Sequence, residues 1–446
     1  LIIESLKPQL LLKMQAILKK SNRPLKGEIT LPSSKSISNR LLIIQALCEE
    51  NFQIENLSSA DDTIIIKKLL DKIHEHDNSK IFDVLELNAK NAGTVFRFLT
   101  AFLATKPGVF MLDGDARMRE RPVGELVDAL NRLGADIDYT AVKNYPPINI
   151  KGKILKGGEV DIDAGISSQF VSAILMIAPT WVEGLTIQLK GRISSKPYIK
   201  MTISLMEQFG ANVEWINNTL KVDGQAYSSG NISIEGDWSA ASYWYLMAAF
   251  SEEVNLVLKG LEKDSIQGDA VIADVFKNFG VETEFIENGI RLSKSKYRLK
   301  GFKFDFTNYP DLVQAVAVCC AGLNIPAKLS GLQSLKIKET DRLSALKIEL
   351  SKLGNIVEVR GDELSILPSG ANIFTSGQNL TFKTYNDHRM AMALAPLSIL
   401  FPEIIIEDPA VVSKSYPGFW DDMQKLGFDL TILKKHRSVD ASMNTG

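Results

Sequence analysis

Two patterns of apolar and polar positions recur along the chain. In the first, an amphipathic helix ends at a glycine and a strand follows at once: Leu130 to Asp138 around Gly134, Leu205 to Glu214 around Gly210, Phe276 to Glu284 around Gly280, Leu350 to Val359 around Gly354, and Met423 to Thr431 around Gly427. The glycines lie 76, 70, 74 and 73 residues apart. Glycine at a helix C-terminus adopts the left-handed conformation that lets the chain reverse, so this spacing predicts a repeated helix–turn–strand unit. One more interval back falls near Ile73, at the end of the periodic run Ile64 to Ile73, and a degenerate sixth copy is expected there.

The second pattern runs in phase with the first: a short strand, a knot of polar residues, then a helix apolar on all sides. Glu28 to Leu31 leads into Ser33-Ser34-Lys35-Ser36, Leu85 to Leu87 into Asn91-Ala92-Gly93-Thr94, and Val160 to Ile162 into Ser167-Ser168-Gln169. Ile232 to Ile234 leads into Asp237-Trp238-Ser239, Phe304 to Phe306 into Tyr309-Pro310-Asp311, and Phe382 to Thr384 into Asn386-Asp387-His388. The helices that follow, such as Ala240 to Phe250 and Leu312 to Ala321, carry no polar face and must be buried at a domain centre. An α/β fold results, with six βαβαββ-like units arranged as two similar domains of three, buried helices inside and sheets around them.

Composition narrows the function. With 51 Lys and Arg against 53 Asp and Glu in 446 residues, the net charge of −2 gives no general surface for a nucleic-acid backbone, so any anion site must be a local cluster. The three cysteines, Cys48, Cys319 and Cys320, sit in apolar stretches without disulfide or metal spacing, which suits a reduced, cytoplasmic protein, and a monomer is expected. No apolar run reaches the roughly 20 residues of a membrane span, and residues 1–13 read as an upstream extension. His74-Glu75-His76 reads as a solvated turn rather than a metal site. No phosphate-loop or dinucleotide fingerprint implies a nucleotide cofactor.

Each knot precedes a helix, where free backbone N–H groups and the helix dipole favour an anion. Lys35, Arg40, Arg97, Arg121, Lys338, Arg342, Arg389 and Lys414 all lie at or within two turns of such starts. Cations gathered there in both halves suit a ligand with several negative charges held between two domains. The competing structural reading, pairing with nearby carboxylates, applies best to Arg117, Arg119 and Arg342.

Seven motifs in order now carry a resemblance: Pro32-Ser33-Ser34-Lys35-Ser36-Ile37-Ser38-Asn39-Arg40, Asn91-Ala92-Gly93-Thr94, Arg117-Met118-Arg119-Glu120-Arg121-Pro122, Ser167-Ser168-Gln169-Phe170, Ser195-Lys196-Pro197-Tyr198, Lys338-Glu339-Thr340-Asp341-Arg342 and Asn386-Asp387-His388-Arg389-Met390-Ala391-Met392. Over residues 25 to 430 the chain resembles the EPSP synthase family of enolpyruvyl transferases. The resemblance implies an inside-out, barrel-like α/β fold with one domain at 32–236 and the other at 1–31 plus 237–446. It implies transfer of the enolpyruvyl group of phosphoenolpyruvate to the 5-hydroxyl of shikimate 3-phosphate, with no metal or other cofactor. Shikimate 3-phosphate would meet Lys35, Ser36, Arg40, Ser167, Ser168, Gln169, Ser195, Tyr198, Asp311, Ser334 and Lys338. Phosphoenolpyruvate would meet Lys35, Gly93, Thr94, Arg121, Gln169, Arg342, Arg389 and Lys414. Lys35, Asp311, Glu339 and His388 would carry the chemistry, with Asp387 and His388 as lesser acid–base candidates. The closing cleft is expected to raise the pKa of Glu339 so that it can donate a proton.

The chain departs from the family pattern at Ser33, where glycine is usual, at Phe98, where proline is usual, and at Ser334, where asparagine is frequent. Two other readings remain at this point. A UDP-N-acetylglucosamine enolpyruvyl transferase would share the repeat but needs a reactive loop cysteine. A noncatalytic or nucleic-acid-processing protein would need interleaved aromatic and basic residues.

Overall fold

The computed structural model describes residues 13–20, 23–50, 52–79, 83–296, 299–368 and 380–435. The expected extension therefore lies outside the described residues except for Lys13, which opens a strand. The first half carries α1 (Lys35–Leu47), α2 (Asp61–Ser79), α3 (Gly93–Ala104), α4 (Gly124–Arg132), α5 (Ser168–Ile177) and α6 (Lys196–Gln208). The second carries α7 (Trp238–Phe250), α8 (Ile272–Lys277), α9 (Val313–Gly322), α10 (Arg342–Ser351), α11 (His388–Leu394) and α12 (Phe419–Lys425).

The unpolarised helices are the central ones. Every residue of α9 and α11 is buried, and α3 leaves only Thr94 outside its buried set. α1, α3 and α5 pack on one another, as do α7, α9 and α11, and each trio is the centre of its own hydrophobic core. A helix with no polar face has no stable place except among other apolar surfaces, which is why these six occupy the interior. The second helix of each unit ends as the sequence predicts. Gly134, Gly210, Gly280, Gly354 and Gly427 all have positive φ, between 74° and 95°. At the end of α4 the amide of Ala135 donates back to the carbonyl of Leu130 at 3.0 Å, the six-residue closure that a left-handed glycine permits.

Among the described residues five sheets have four strands each, and no sheet joins another. In the unit of α3, Leu85–Asn88 runs parallel to Gly108–Asp113, which pairs antiparallel with Ile148–Gly152, itself antiparallel to Ile137–Tyr139. The alternation is strict: Leu85 and Leu87 are buried while Glu86 and Asn88 face solvent. The sixth unit, that of α1 and α2, is the degenerate one. Among the described residues its sheet has two strands, Ile54–Glu55 and Ile232–Ser233. His74 and His76 lie inside α2 rather than in a turn, and His76 contacts Asp83 at 3.0 Å.

The strands that lead into the first and fourth knots exchange partners between halves. Leu25–Thr30 runs directly into α1, yet it pairs parallel with Val254–Lys259, the strand after α7. Ile232–Ser233 runs into α7, yet it pairs with the strand after α1. The chain thus crosses between the cores twice, and the crossings lie side by side: the amide of Ser34 donates to Glu235 O at 2.9 Å and that of Asp237 to Pro32 O at 2.8 Å.

Candidate active site

The polar knots open onto a single cleft between the halves. Lys35 and Ser36 from α1, Gly93 and Thr94 from α3, Ser167, Ser168 and Gln169 from α5, Asp311 before α9, and His388 and Arg389 from α11 all line it. So do Arg40, Arg121, Ser195, Tyr198, Ser334, Lys338, Glu339 and Arg342. The knot at Asp237-Trp238-Ser239 is the exception. It sits behind the wall, where Asp237 caps α7 and accepts the amide of Lys35 at 3.2 Å. Lys414 lines an adjoining groove and reaches the cleft from the side, donating to Asn91 O at 2.6 Å and lying 3.8 Å from Glu339. Arg97 lies behind Gln169, donating to its Oε1 at 3.2 Å, while Gln169 Nε2 donates to Thr94 at 2.9 Å.

Six Lys and Arg side chains against three carboxylates line the cleft, an imbalance that selects an anionic ligand. Backbone geometry adds to it. A Cβ on Gly93 would run into the Arg97 and Arg121 guanidinium groups, so only glycine lets the start of α3 come this close to two cations. Ser195 is held in the left-handed region at φ 54, a strained conformation for serine, by its amide donating to Thr307 O of the other half at 2.8 Å. Further ties span the cleft. Arg117 donates to the carbonyls of Lys338 and Glu339 at 2.9 and 3.1 Å, and the Tyr198 hydroxyl donates to Asp311 at 3.0 Å. The halves are closed on one another.

Arg342, almost wholly buried, is the hub of the second wall. Its guanidinium meets Asp387 at 2.7 Å, Glu339 at 2.9 Å and Asp311 at 3.4 Å. Arg389 adds a 2.9 Å contact to Asp311. The structural reading of Arg117 and Arg119 also holds, through Glu120 and Asp113 respectively.

These pairs reverse one expectation. Burial by itself would raise the pKa of Glu339, but Arg342, Arg121 and Lys414 together hold its carboxyl well below the usual range. Asp311 is likewise held down against its burial by Arg389, Lys338 and Arg342. Both are carboxylates here. Burial lowers Lys338 to about 8, with Asp311 opposing, and keeps His388 neutral, reinforced by Lys35 and Arg389. Neither ring nitrogen of His388 has a hydrogen-bond partner among the described residues.

Of two acidic residues near the cleft, the sequence marks Asp269 only as a charge at a helix start and does not mark Asp62 at all. Asp62, in the first turn of α2, meets Lys35 at 3.0 Å and Lys414 at 3.4 Å. Its signal was the start of the second helix of the degenerate unit, the position that supplies Arg121 and Lys338 elsewhere. Asp269, in Gly268–Val271, is buried behind Tyr198.

Among protein families, EPSP synthase (3-phosphoshikimate 1-carboxyvinyltransferase) matches residues 19–423. The chain belongs to the EPSP synthase family. A 3-phosphoshikimate 1-carboxyvinyltransferase of Bacteroides fragilis is 46% identical over 409 residues, covering 92% of this chain and 97% of the relative. One from Photobacterium profundum is 37% identical, covering 90% of this chain and 96% of its own. The fold matches the EPSP synthase of Acinetobacter baumannii with a TM-score of 0.73 at 21% identity, over 94% of this chain and 100% of that one. It also matches the enolpyruvyl transferase NikO of Streptomyces tendae, with a TM-score of 0.74 at 16% identity, over 95% and 100% of the two chains. These likenesses establish the two-domain α/β architecture of EPSP synthases for this chain, and the family match establishes it as an enzyme of that family.

Proposed function

We infer that this chain transfers the 1-carboxyvinyl group of phosphoenolpyruvate to the 5-hydroxyl of shikimate 3-phosphate and releases phosphate, a step of aromatic amino acid biosynthesis. The observation that carries the reading is the convergence of cations from both cores, Lys35, Arg40 and Arg121 facing Lys338, Arg342 and Arg389, on one cleft in a chain of this family. Arg40, Ser167, Ser168, Ser195 and Lys338 are our candidates for gripping shikimate 3-phosphate. Lys35, Arg121, Arg342, Arg389 and Lys414 are those for phosphoenolpyruvate.

The reaction is an addition followed by an elimination. A proton adds to the methylene carbon of phosphoenolpyruvate, the 5-oxygen bonds to C2 and loses its proton, and the C2–O bond to phosphate then breaks as a methyl proton is lost. We assign Glu339 to the methylene proton and Asp311 to the hydroxyl proton. The cations that keep Glu339 ionised are those proposed to bind phosphoenolpyruvate. Its phosphate and carboxylate charges offset them, so the substrate itself raises the carboxyl toward a proton-donating state. Holding both reactants in line supplies roughly 7–11 kcal/mol more.

The cysteines argue against the UDP-N-acetylglucosamine reading. Cys48 caps α1 and contacts Tyr227 O, and Cys319 and Cys320 are buried in α9, so no thiol lines the cleft among the described residues. The deciding assay is phosphate release with phosphoenolpyruvate and each acceptor in turn. Release with shikimate 3-phosphate alone is expected, and release only with the nucleotide sugar would overturn the reading. We further propose that residues 32–236 and the rest of the chain are the bodies that separate to admit substrate, hinged at the paired crossings. A monomer suffices, since one chain supplies both walls. Small-angle scattering that shows no compaction on adding shikimate 3-phosphate would exclude the hinge motion.

A further inference from the structure

Behind the second wall lies a carboxyl that the reaction as written leaves idle. Asp269 is 3% exposed, and among the described residues no Lys or Arg side chain forms an ion pair with it, Arg389 being turned to Asp311. Its Oδ2 accepts the Ser239 hydroxyl, and both of its oxygens lie 3.1 Å from the Tyr198 hydroxyl oxygen. That same hydroxyl is 3.0 Å from Asp311 Oδ2. One hydroxyl proton therefore faces two carboxyl groups. If both were ionised, one would be left beside the tyrosine oxygen with no donor between them, an arrangement that a buried site tolerates poorly.

We propose that Asp269 is a positioning residue that keeps its proton on Oδ1, donates it to the Tyr198 oxygen, and so commits the Tyr198 hydroxyl proton to Asp311. This rests on the assignment of Asp311 above. The consequence is a choice between the two oxygens of Asp311. Oδ2 is taken by Tyr198 and by Arg389 at 2.9 Å, while among the described residues Oδ1 meets only Arg342, at 3.4 Å, and stays available to the substrate hydroxyl. Ionised Asp269 would draw the Tyr198 proton to itself and leave Oδ2 held by Arg389 alone, blurring the distinction between the two oxygens.

The charged and titratable groups facing Asp269 are Tyr198 on α6, Asp311 before α9, Arg389 on α11 and Asp237 at the start of α7. Burial and then Asp311 push its carboxyl up to about 7, with Arg389 opposing. Arg389 is already engaged by Asp311, so it does not hold Asp269 ionised, and the neutral acid is the main form below about pH 7.

Infrared difference spectroscopy of the whole protein with carbon-13 aspartate tests this. A carboxylic-acid carbonyl band should vanish as pH rises through about 7, be absent in Asp269→Asn, and move to higher frequency in Tyr198→Phe, which removes its acceptor. Asp269→Asn, whose amide can still donate to Tyr198, should turn over at least about tenfold faster than Asp269→Leu. The proposal is overturned if mildly acidic solution shows no band that Asp269→Asn removes, if Tyr198→Phe leaves the band in place, or if the two variants turn over alike. The infrared result stands even if Asp269→Leu does not fold. Phosphate release by the parent separates the two layers. A parent inactive with both substrates removes the underlying assignment of Asp311, whereas an active parent without the band removes Asp269 alone.

Discussion

Arg40 and Arg342 are both buried arginines at the same cleft, yet they sit in opposite electrostatic settings. Arg40, on the first wall, has only neutral partners among the described residues: Thr202 at 2.7 Å, the carbonyl of Ser36 at 2.8 Å, that of Tyr198 at 3.3 Å and the Ser172 hydroxyl at 3.5 Å. It also lies over the Phe98 ring, with Cζ 5.4 Å from the centroid. Burial lowers its pKa to about 10, Tyr198 opposing, so the charge persists at neutral pH without a counterion. Arg342, on the second wall, is encircled by three carboxylates. The first wall keeps an uncompensated cation that a ligand anion can satisfy. The second pairs Arg342 and Arg389 with carboxylates within the protein and thereby keeps acids and bases where protons must move.

Removing Arg342 breaks that contrast most severely. Arg342→Met strands Asp387, which is fully buried, together with Glu339, and should cost about 3–5 kcal/mol of stability in denaturant unfolding. A loss below about 1 kcal/mol would mean that the second wall is not internally paired in solution. Next come the groups assigned to chemistry. Glu339→Gln or Lys35→Met should lower kcat/KM by at least about a hundredfold with the fold retained. Near-normal turnover in either would remove that residue from its role.

How much of this was legible in the sequence follows from the range of each interaction. The helix-ending glycines and the knots are local backbone events, and the five regular units lie where the spacing put them. The exchange of Leu25–Thr30 and Ile232–Ser233 was legible only through the family resemblance, whose bounds at 31/32 and 236/237 assign each strand to the half in which it pairs; apolar alternation alone carries no record of a strand's partner. The cations of the site were readable as helix-start residues. The charge state of Glu339 was not, since it depends on Arg121, Arg342 and Lys414, which come from three different units. Asp62 escaped notice because the degenerate unit blurred the register that would have marked it.

Arg40→Met probes the opposite wall and should invert the Arg342 result. With no internal counterion to strand, stability should change by less than about 1 kcal/mol in either direction. The KM for shikimate 3-phosphate should nonetheless rise by roughly ten- to a hundredfold, because a charge-assisted hydrogen bond of about 1.5–3 kcal/mol is lost. Comparable destabilisation in the two arginine variants, followed by chemical unfolding, would erase the distinction between the walls.

The smallest effect concerns Lys338, the second-wall cation that burial pulls down to about 8 despite Asp311 beside it. A depressed ammonium pKa means that the proton leaves as pH rises, so the charge is present below about 8 and lost above it. Because kcat/KM reports the free enzyme, it should fall by about tenfold per pH unit beyond that point. Lys338→Arg keeps a charge that does not titrate in this range and should move the alkaline limb upward by more than about one unit. If the limb stays where it was, the loss of charge that weakens anion binding lies elsewhere. The second wall would then contribute its paired carboxylates to the reaction but no titrating cation to the grip on substrate.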